Sequence, residues 1–380
     1  MKKVLFISDN NALRVSYGAE QRGNVILNAL LQNDCYVDFA YIGPAIETFQ
    51  PAIEKVRIVY WNDGKEWSIT QMAAGLRLLT IKIFPVSSLL SKIIDEIVRN
   101  NNYDFIFCRY LQFASLAGLE RYSKKLILDI DDVPAQTFRT RLGASSFPKS
   151  IYHWLMYKGM ERETRRWIKR CHVSLFPNEE QARNYGGTFL PNIPVVSCSA
   201  PLVSYKTNNI LFIGRMDFAP NYCGMDAFIK YCWDRIVEIV PDAMLYIAGK
   251  GLCDDYKQLW ESHKNVIILG YVDSLLSFYE EGNIVIVPIT SGSGTNIKVI
   301  EALSLGKACV ISKFSTRGFE DIIRDGENCK VYDSFEECQD ELIKLLNSPE
   351  KCELYGNNAY YSVTEKYSQQ AVNSIVKSFI

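Results

Sequence analysis

The 380-residue sequence has few histidines, three in all, at positions 153, 172 and 263. Its eleven cysteines include no Cys-x-x-Cys pair, and Cys171-His172 have no second ligand pair near them in sequence. That pattern argues against a zinc site and against a disulfide framework, and the odd thiol count fits a reducing cytoplasm. Excess charge of one sign is also missing: the formal net charge is −1, which argues against a nucleic-acid footprint. Long apolar runs are absent as well. Met1-Lys2-Lys3 leads into only four apolar residues, Val4-Leu5-Phe6-Ile7, too few for a signal peptide. The longest charge-free stretch, between Arg183 and Lys206, holds Pro191, Pro194 and Pro201 and reads as strand plus linker, not as a membrane span. The Ser/Gly loop before Lys298 does not match the phosphate loop Gly-x-x-x-x-Gly-Lys-Ser/Thr, because the lysine comes too late. The loop after the first strand lacks Gly-x-Gly-x-x-Gly, which makes an NAD-dependent oxidoreductase a poor fit.

What is present is core-forming. Apolar residues are 48% of a chain longer than one hydrophobic core usually serves, so two domains are expected. Short apolar runs alternate with helical patterns. Val4 to Ser8, Val37 to Ile42, Val56 to Tyr60, Phe105 to Phe107, Leu126 to Leu128 and Val173 to Phe176 read as strands. Helices fit Glu20 to Leu31, Val86 to Ile97 and 151 to 170. After the proline-rich connection Pro191 to Ser204 the alternation restarts, with strands Ile210 to Ile213, Met244 to Ala248, Val266 to Leu269, Ile284 to Val287 and Ala308 to Ile311, and a helix Ala227 to Val240. Such alternation implies parallel sheets covered on both faces. The expected division is 1–198, 199–363, and a C-terminal helix 364–380 crossing back to the first domain.

One stretch carries the chemistry. The strand Ile284 to Val287 runs into Thr290-Ser291-Gly292-Ser293-Gly294-Thr295-Asn296, then into a helix with Ile297, Ile300 and Leu303 on one face. Strand, glycine loop, helix points free N–H groups at an anion, and Lys298 adds a charge in the first turn. Glu301, one turn later, is placed to accept hydrogen bonds from hydroxyl groups. The competing interpretation is a tight turn with Thr295 as N-cap. Gly214-Arg215, Gly249-Lys250-Gly251 and Gly270-Tyr271 also follow strands, where ligands of parallel sheets sit. That shared placement favours the functional interpretation.

These segments together resemble the retaining GT-B glycosyltransferases of glycosyltransferase group 1 (family four). Phe212-Ile213-Gly214-Arg215-Met216, Ala248-Gly249-Lys250-Gly251, Gly270-Tyr271-Val272-Asp273, the loop 291–302 and Asp325-Gly326-Glu327-Asn328 carry the likeness in the second half. Tyr17-Gly18-Ala19-Glu20-Gln21 and Leu190-Pro191-Asn192 carry it more weakly in the first. The resemblance implies a GT-B fold, two Rossmann-like parallel-sheet domains facing a central cleft. It implies transfer of a sugar from a nucleotide sugar, UDP- or GDP-linked, to a glycan or lipid-linked acceptor, with retention and without metal or other cofactor, in bacterial surface polysaccharide assembly. Arg215 and Lys298 would take the diphosphate as catalytic cations. Gly214, Gly249, Tyr271, Gly292, Ser293, Gly294, Thr295, Asn296 and Glu301 would bind the donor, Glu301 through the ribose hydroxyls. Two departures stand out: Ser293 occupies the place of the first of the family's paired glutamates, and Asn221 the place of a lysine. A sugar-nucleotide epimerase of similar shape and a non-catalytic sugar-nucleotide-binding partner remain alternatives.

Asp129-Ile130-Asp131-Asp132 looks like the Asp-x-Asp metal mark of another glycosyltransferase fold, but lies far in sequence from every donor element. It reads instead as a solvated strand end, with Asp131 or Asp132 facing an acceptor or sugar, alongside Gly18. The helix 151–170, with Trp154, Tyr157 and Trp167 among Lys158, Arg162, Arg165 and Arg166, and residues 72–84 are read first as core-packing helices with charged outer faces. Peripheral contact with the inner face of a membrane is the alternative for both.

Overall fold

The computed structural model describes residues 1–15, 18–44, 53–62, 84–131, 133–143, 146–194, 196–204, 208–292 and 296–380. The stretch 72–84, read above as a possible membrane-facing segment, therefore lies outside the described residues except for Phe84. The chain divides into two compact units, Met1–Asn192 with Gln369–Ile380, and Ile193–Ser368. The boundaries fall at 192/193 and 368/369, beside the expected 198/199 and 363/364.

Among the described residues the first unit is built on seven parallel strands: β1 (Lys2–Ser8), β2 (Cys35–Tyr41), β3 (Val56–Trp61), β4 (Phe105–Arg109), β5 (Leu126–Asp129), β6 (Val173–Phe176) and β7 (Thr188–Phe189). Their order is β3-β2-β1-β4-β5-β6-β7. β1 sits between β2 and β4, with Val4 opposite Val37 and Phe105, and its residues Val4 to Ser8 are fully buried. A strand covered on both faces has no solvent side to fill with polar residues, which is why it reads as a continuous apolar run. Burying each large side chain of such a strand stabilises the fold by roughly 1.5–3 kcal/mol. Phe6 stacks on Phe107 at 4.6 Å between ring centroids, joining β1 to β4. The helix α1 (Gly18–Gln32) follows β1. Later come α2 (Pro134–Gly143) and the 20-residue α3 (Lys149–Ile168).

Among the described residues the second unit holds six parallel strands: β8 (Asn209–Ile213), β9 (Met244–Ala248), β10 (Val266–Gly270), β11 (Ile284–Val287), β12 (Ala308–Ser312) and β13 (Lys330–Tyr332), ordered β10-β9-β8-β11-β12-β13. The strand–helix units here include α4 (Ala219–Phe228) and α5 (Ile297–Ser304). The helix expected from Ala227 in fact begins at Ala219 and runs through a π turn at Ile229–Trp233 to Ile239. Pro220 in its first turn has no N–H to lose there, so it opens the helix without cost.

The last helix, α6 (Gln369–Lys377), belongs to the first unit. Gln369 donates to the Val25 carbonyl at 3.1 Å, and Asn33 donates to the Asn373 carbonyl at 2.9 Å, tying α6 to α1. In both sheets the strand order reverses beside the first strand of the unit, between β1 and β4 and between β8 and β11. Connections leave such a point in opposite directions, so the space beyond the carboxyl ends of those strands stays open to a ligand.

Candidate functional site

At the reversal point of the second unit, backbone and side chains are fitted closely around three glycines. Gly249 has φ +139°, and a Cβ there would lie 1.7 Å from the Gly214 carbonyl oxygen. Only glycine lets the ends of β8 and β9 come together so closely. Gly214 has a different neighbour: a Cβ on it would lie 2.8 Å from Asn221 Nδ2 and 3.3 Å from Lys298 Cε. The loop after β11 approaches the same place, because a Cβ on Gly292 would meet Pro220 Cγ at 3.2 Å. Buried serines hold that loop down. Ser315 Oγ donates to the carbonyls of Val287 at 3.4 Å and Ile289 at 3.3 Å, and Ser312 Oγ also donates to Ile289.

Asn221 joins the pieces. Buried in the first turn of α4, it donates from Nδ2 to the Arg215 carbonyl at 2.7 Å, and its Oδ1 accepts from Lys298 Nζ at 2.9 Å. Lys298, partly buried, stands in the first turn of α5, whose N-cap Asn296 makes no side-chain capping hydrogen bond. The ammonium thus sits where the helix already presents its positive end. Burial pushes Lys298 down to about 8, with Glu301 opposing the shift. Glu301, one turn along, is 7% exposed and receives the buried Tyr279 hydroxyl at 3.4 Å. Burial pushes its carboxyl up to about 7, against the pull of Tyr279 and Lys298. The pair therefore changes protonation close to neutrality.

Arg215 is exposed and forks onto Asp217, at 3.0 Å from Nε and 2.7 Å from Nη2. An exposed pair of this kind is worth about 0–1 kcal/mol, so the guanidinium can be redirected at little cost. Tyr271 is 61% exposed, with Lys250 Nζ 3.9 Å from its ring centroid. Ser293, Gly294 and Thr295 lie outside the described residues. The structure therefore brings Gly214, Gly249, Gly292, Lys298 and Glu301 to one strand-end region and leaves the Arg215 side chain and Tyr271 on its exposed surface. Sequence reasoning did not place Asn221, Tyr279 or Arg317 in the site. Asn221 had been noticed only as a departure from a lysine. Arg317, which donates to the Gly292 carbonyl at 3.2 Å, stands in a Thr-Arg-Gly turn with no helical or motif signal.

The reversal point of the first unit is occupied by an ion network. Asp129, fully buried, accepts from Arg22 Nε at 3.1 and 3.0 Å and Nη2 at 2.6 Å, and from Arg109 Nε at 3.2 Å. Arg22 also donates to the Leu190 carbonyl and to Asn192 Oδ1, and Arg109 to the Ala19 carbonyl. The expectation of a solvated strand end at Asp129 is thus corrected: β4 and β5 run in register with Arg109 opposite Asp129, and both side chains are fully buried. Burial alone would raise the Asp129 carboxyl, but the two guanidiniums hold it below the usual range. Asp131 receives Arg109 Nη2 at 2.6 Å and the Tyr110 hydroxyl at 3.1 Å and keeps 17% of its side-chain surface. Tyr110 has φ +59°, a costly conformation for a bulky residue, held by its place between β4 and the next helix. Asp9, just past β1, is pushed up to about 6 by burial, against the pull of Arg109. Gly18 opens α1, and Asp132 lies outside the described residues. Among the described residues no group of three or more His, Cys, Asp or Glu is placed to hold a metal ion.

Residues 207–348 match a family model described as Glycosyl transferases group 1. A 44.6 kDa uncharacterized protein in the cps region of Klebsiella pneumoniae is 22% identical over 240 residues, 59% of this chain and 61% of that one. The chain thus spans about three fifths of that relative's length. The sucrose-phosphate synthase of Thermosynechococcus elongatus superposes with a TM-score of 0.73 at 12% identity, covering 100% of this chain and 98% of that one. Anabaena HepE, solved in complex with UDP-glucose, superposes with a TM-score of 0.64 at 13% identity, covering 100% and 99%. The fold is GT-B, with parallel sheets of seven and six strands. The domain match supports a glycosyltransferase, in a chain of GT-B fold. Among the described residues no helix is long and apolar enough to cross a membrane.

Proposed function

We propose that the protein moves a sugar from a nucleotide sugar to a glycan or lipid-linked acceptor in bacterial surface polysaccharide assembly. The observation that carries this reading is the Lys298–Asn221 pair at the reversal point of the unit that matches the group 1 model. It is a fixed cation at a helix start with a neutral partner. The donor diphosphate would lie against Lys298 and the amino end of α5, with Arg215 leaving Asp217 to fork onto it. Glu301 would accept the ribose hydroxyls and Tyr271 would lie against the base. The loop residues Ser293, Gly294, Thr295 and Asn296 would line the donor. As the bond from the sugar carbon to the diphosphate oxygen breaks, negative charge grows on that oxygen. Positive groups held in place beforehand stabilise it, about 3 kcal/mol for one well-placed donor.

Transfer with retention follows a front-side course: the acceptor oxygen bonds to the sugar carbon and its proton passes to the leaving phosphate. These cations make a metal unnecessary. The carboxylates that resembled a metal motif already have partners, since guanidiniums bind both Asp129 and Asp131. The acceptor side is assigned to the first unit, at Asp131, Asp132 and Gly18. HepE in complex with UDP-glucose favours a UDP-linked donor over a GDP-linked one. Peripheral contact with a membrane accompanies a lipid-linked acceptor.

The test is calorimetry with UDP and GDP, followed by product analysis of UDP-sugars with and without an acceptor extract. UDP binding together with acceptor-dependent sugar transfer supports the proposal. Epimerised sugar from donor alone would replace it with an epimerase, and binding without turnover would replace it with a non-catalytic partner.

A further inference from the structure

The hairpin of α2 and α3 carries a feature that the transfer chemistry does not use. From Met156 onward the later half of α3 packs inward, through Met156, Met160, Glu163, Thr164 and Trp167, all buried. That half is the core-packing helix expected from sequence. Its first two turns differ. Ile151 is 51% exposed, Trp154 and Leu155 47% each, and Phe147, in the turn before the helix, 78%. Ile151 and Leu155 are four residues apart and Trp154 lies beside them, so one helical face presents three large apolar side chains. Scattered apolar residues on a surface need no explanation, but a contiguous group does.

The charge that the hairpin's own sequence carries there has one sign. From Pro134 to Met160 the sequence has Arg139, Arg141, Lys149 and Lys158 and no Asp or Glu; the first acid is Glu161. All four basic residues are exposed. The whole chain, by contrast, is nearly neutral at −1. Aromatic and aliphatic side chains exposed on a hairpin whose sequence from Pro134 to Met160 carries four exposed cations and no acid are complementary to one kind of surface, apolar beneath and negative at its face.

We propose that the Phe147–Leu155 face of the α2–α3 hairpin docks onto an anionic lipid bilayer, with Phe147, Ile151, Trp154 and Leu155 entering the headgroup boundary and Arg139, Arg141, Lys149 and Lys158 facing anionic headgroups. Tryptophan suits that boundary, because its ring is apolar and its N–H is polar. The partition is reversible: no helix among the described residues spans a bilayer, and a few apolar residues with four cations give surface binding that salt weakens. The docking places the first unit at a membrane face and stands independently of the transferase reading.

The test is co-sedimentation of the full chain with vesicles of phosphatidylcholine alone or with about one third phosphatidylglycerol, in the absence of any sugar nucleotide. The wild type is expected to pellet with the anionic vesicles and to be released by high salt. Ile151→Glu/Leu155→Glu and, separately, Arg141→Ser/Lys149→Ser are each expected to lower the bound fraction on the order of tenfold. Leu354→Glu, at an exposed apolar residue of the second unit, is expected to leave it unchanged. Circular dichroism and UDP calorimetry on the same variants report the fold and the donor site separately, so loss of vesicle binding with UDP binding intact isolates the docking surface. Failure to pellet, or pelleting that both hairpin variants retain, overturns the proposal. A dimer in sedimentation velocity that Trp154→Glu dissolves would overturn it in favour of a second copy of the chain.

Discussion

The two reversal points occupy equivalent places in two sheets of the same kind and treat charge in opposite ways. In the first unit, Arg22, Arg109, Asp129 and Asp131 satisfy one another, with the Asp129 carboxylate buried between two guanidiniums. In the second, Lys298 donates to the neutral amide of Asn221, and Glu301, one turn along, is pushed toward the neutral form by burial. A closed network is a scaffold: it fixes strand ends and leaves Asp131 as its one partly exposed carboxylate. A lightly compensated cation at a helix start is a receptor for an anion, because a bound diphosphate adds the charge that the fold withholds. The contrast teaches that position at a strand end does not make a site; the balance of charge there decides whether the end is filled by the protein or left for a ligand.

The comparison breaks most severely at Asp129. Asp129→Asn removes the charge that two buried guanidiniums share, and losing one partner of such a group costs about 3–5 kcal/mol. Hydrogen exchange is expected to accelerate in peptides from β4 and β5 while those from β11 and β12 stay protected. Unchanged exchange in β4 and β5 would mean that the network does not hold that sheet together. Lys298→Ala is the mirror case. It removes a cation that burial disfavours, so thermal stability is expected to hold, whereas UDP affinity and turnover fall at least tenfold, roughly 1.4 kcal/mol or more. A parallel loss of stability would show Lys298 to be structural, like its counterparts in the first unit.

Proton linkage sharpens the same contrast. Lys298 is about 8 and Glu301 about 7 in the free protein. A diphosphate binds the protonated lysine, so affinity falls as pH rises through about 8. Ribose hydroxyls donate to the ionised glutamate, so affinity falls as pH drops through about 7. Stability follows the opposite logic. Glu301, raised by burial from 4.5, contributes stability that is lost as pH climbs toward 7, and Lys298, lowered from 10.5, contributes a gain only as pH climbs above 8. UDP affinity by calorimetry is expected to peak between about 7 and 8, where the free protein is least favoured by these two groups. In Lys298→Ala the alkaline limb should disappear. A flat profile in the wild type would refute the roles of both residues.

Much of this was legible before any coordinates, because β1, β11 and β12 are buried on both faces and leave unbroken apolar runs in the sequence. The glycine turns were legible too, since Gly249 sits where a side chain would collide with Gly214. The pairings were not. Arg22 meets Asp129 across 107 positions and Lys298 meets Asn221 across 77, and nothing local in the sequence signals either pairing. The start of α4 at Ala219 was hidden because Pro220, Asn221 and Gly224 look like turn residues. Only the fold shows that Gly224 is needed there: a Cβ on it would lie 2.4 Å from the Pro288 carbonyl oxygen.

The smallest expected effect is also the most discriminating. Glu301→Gln keeps the shape and the contact with Tyr279 but removes the charge. An amide oxygen accepts from the ribose more weakly than a carboxylate, by about 1 kcal/mol, so UDP affinity at pH 7.5 is expected to fall roughly fivefold. Two further consequences fix the cause. The acid limb of the pH profile should vanish, since no group near 7 remains to lose its charge. The alkaline limb should move to lower pH, because Glu301 is what opposes the downward shift of Lys298. Weaker binding with both limbs unmoved would mean that Glu301 supports the helix and that the hydroxyl contacts lie elsewhere.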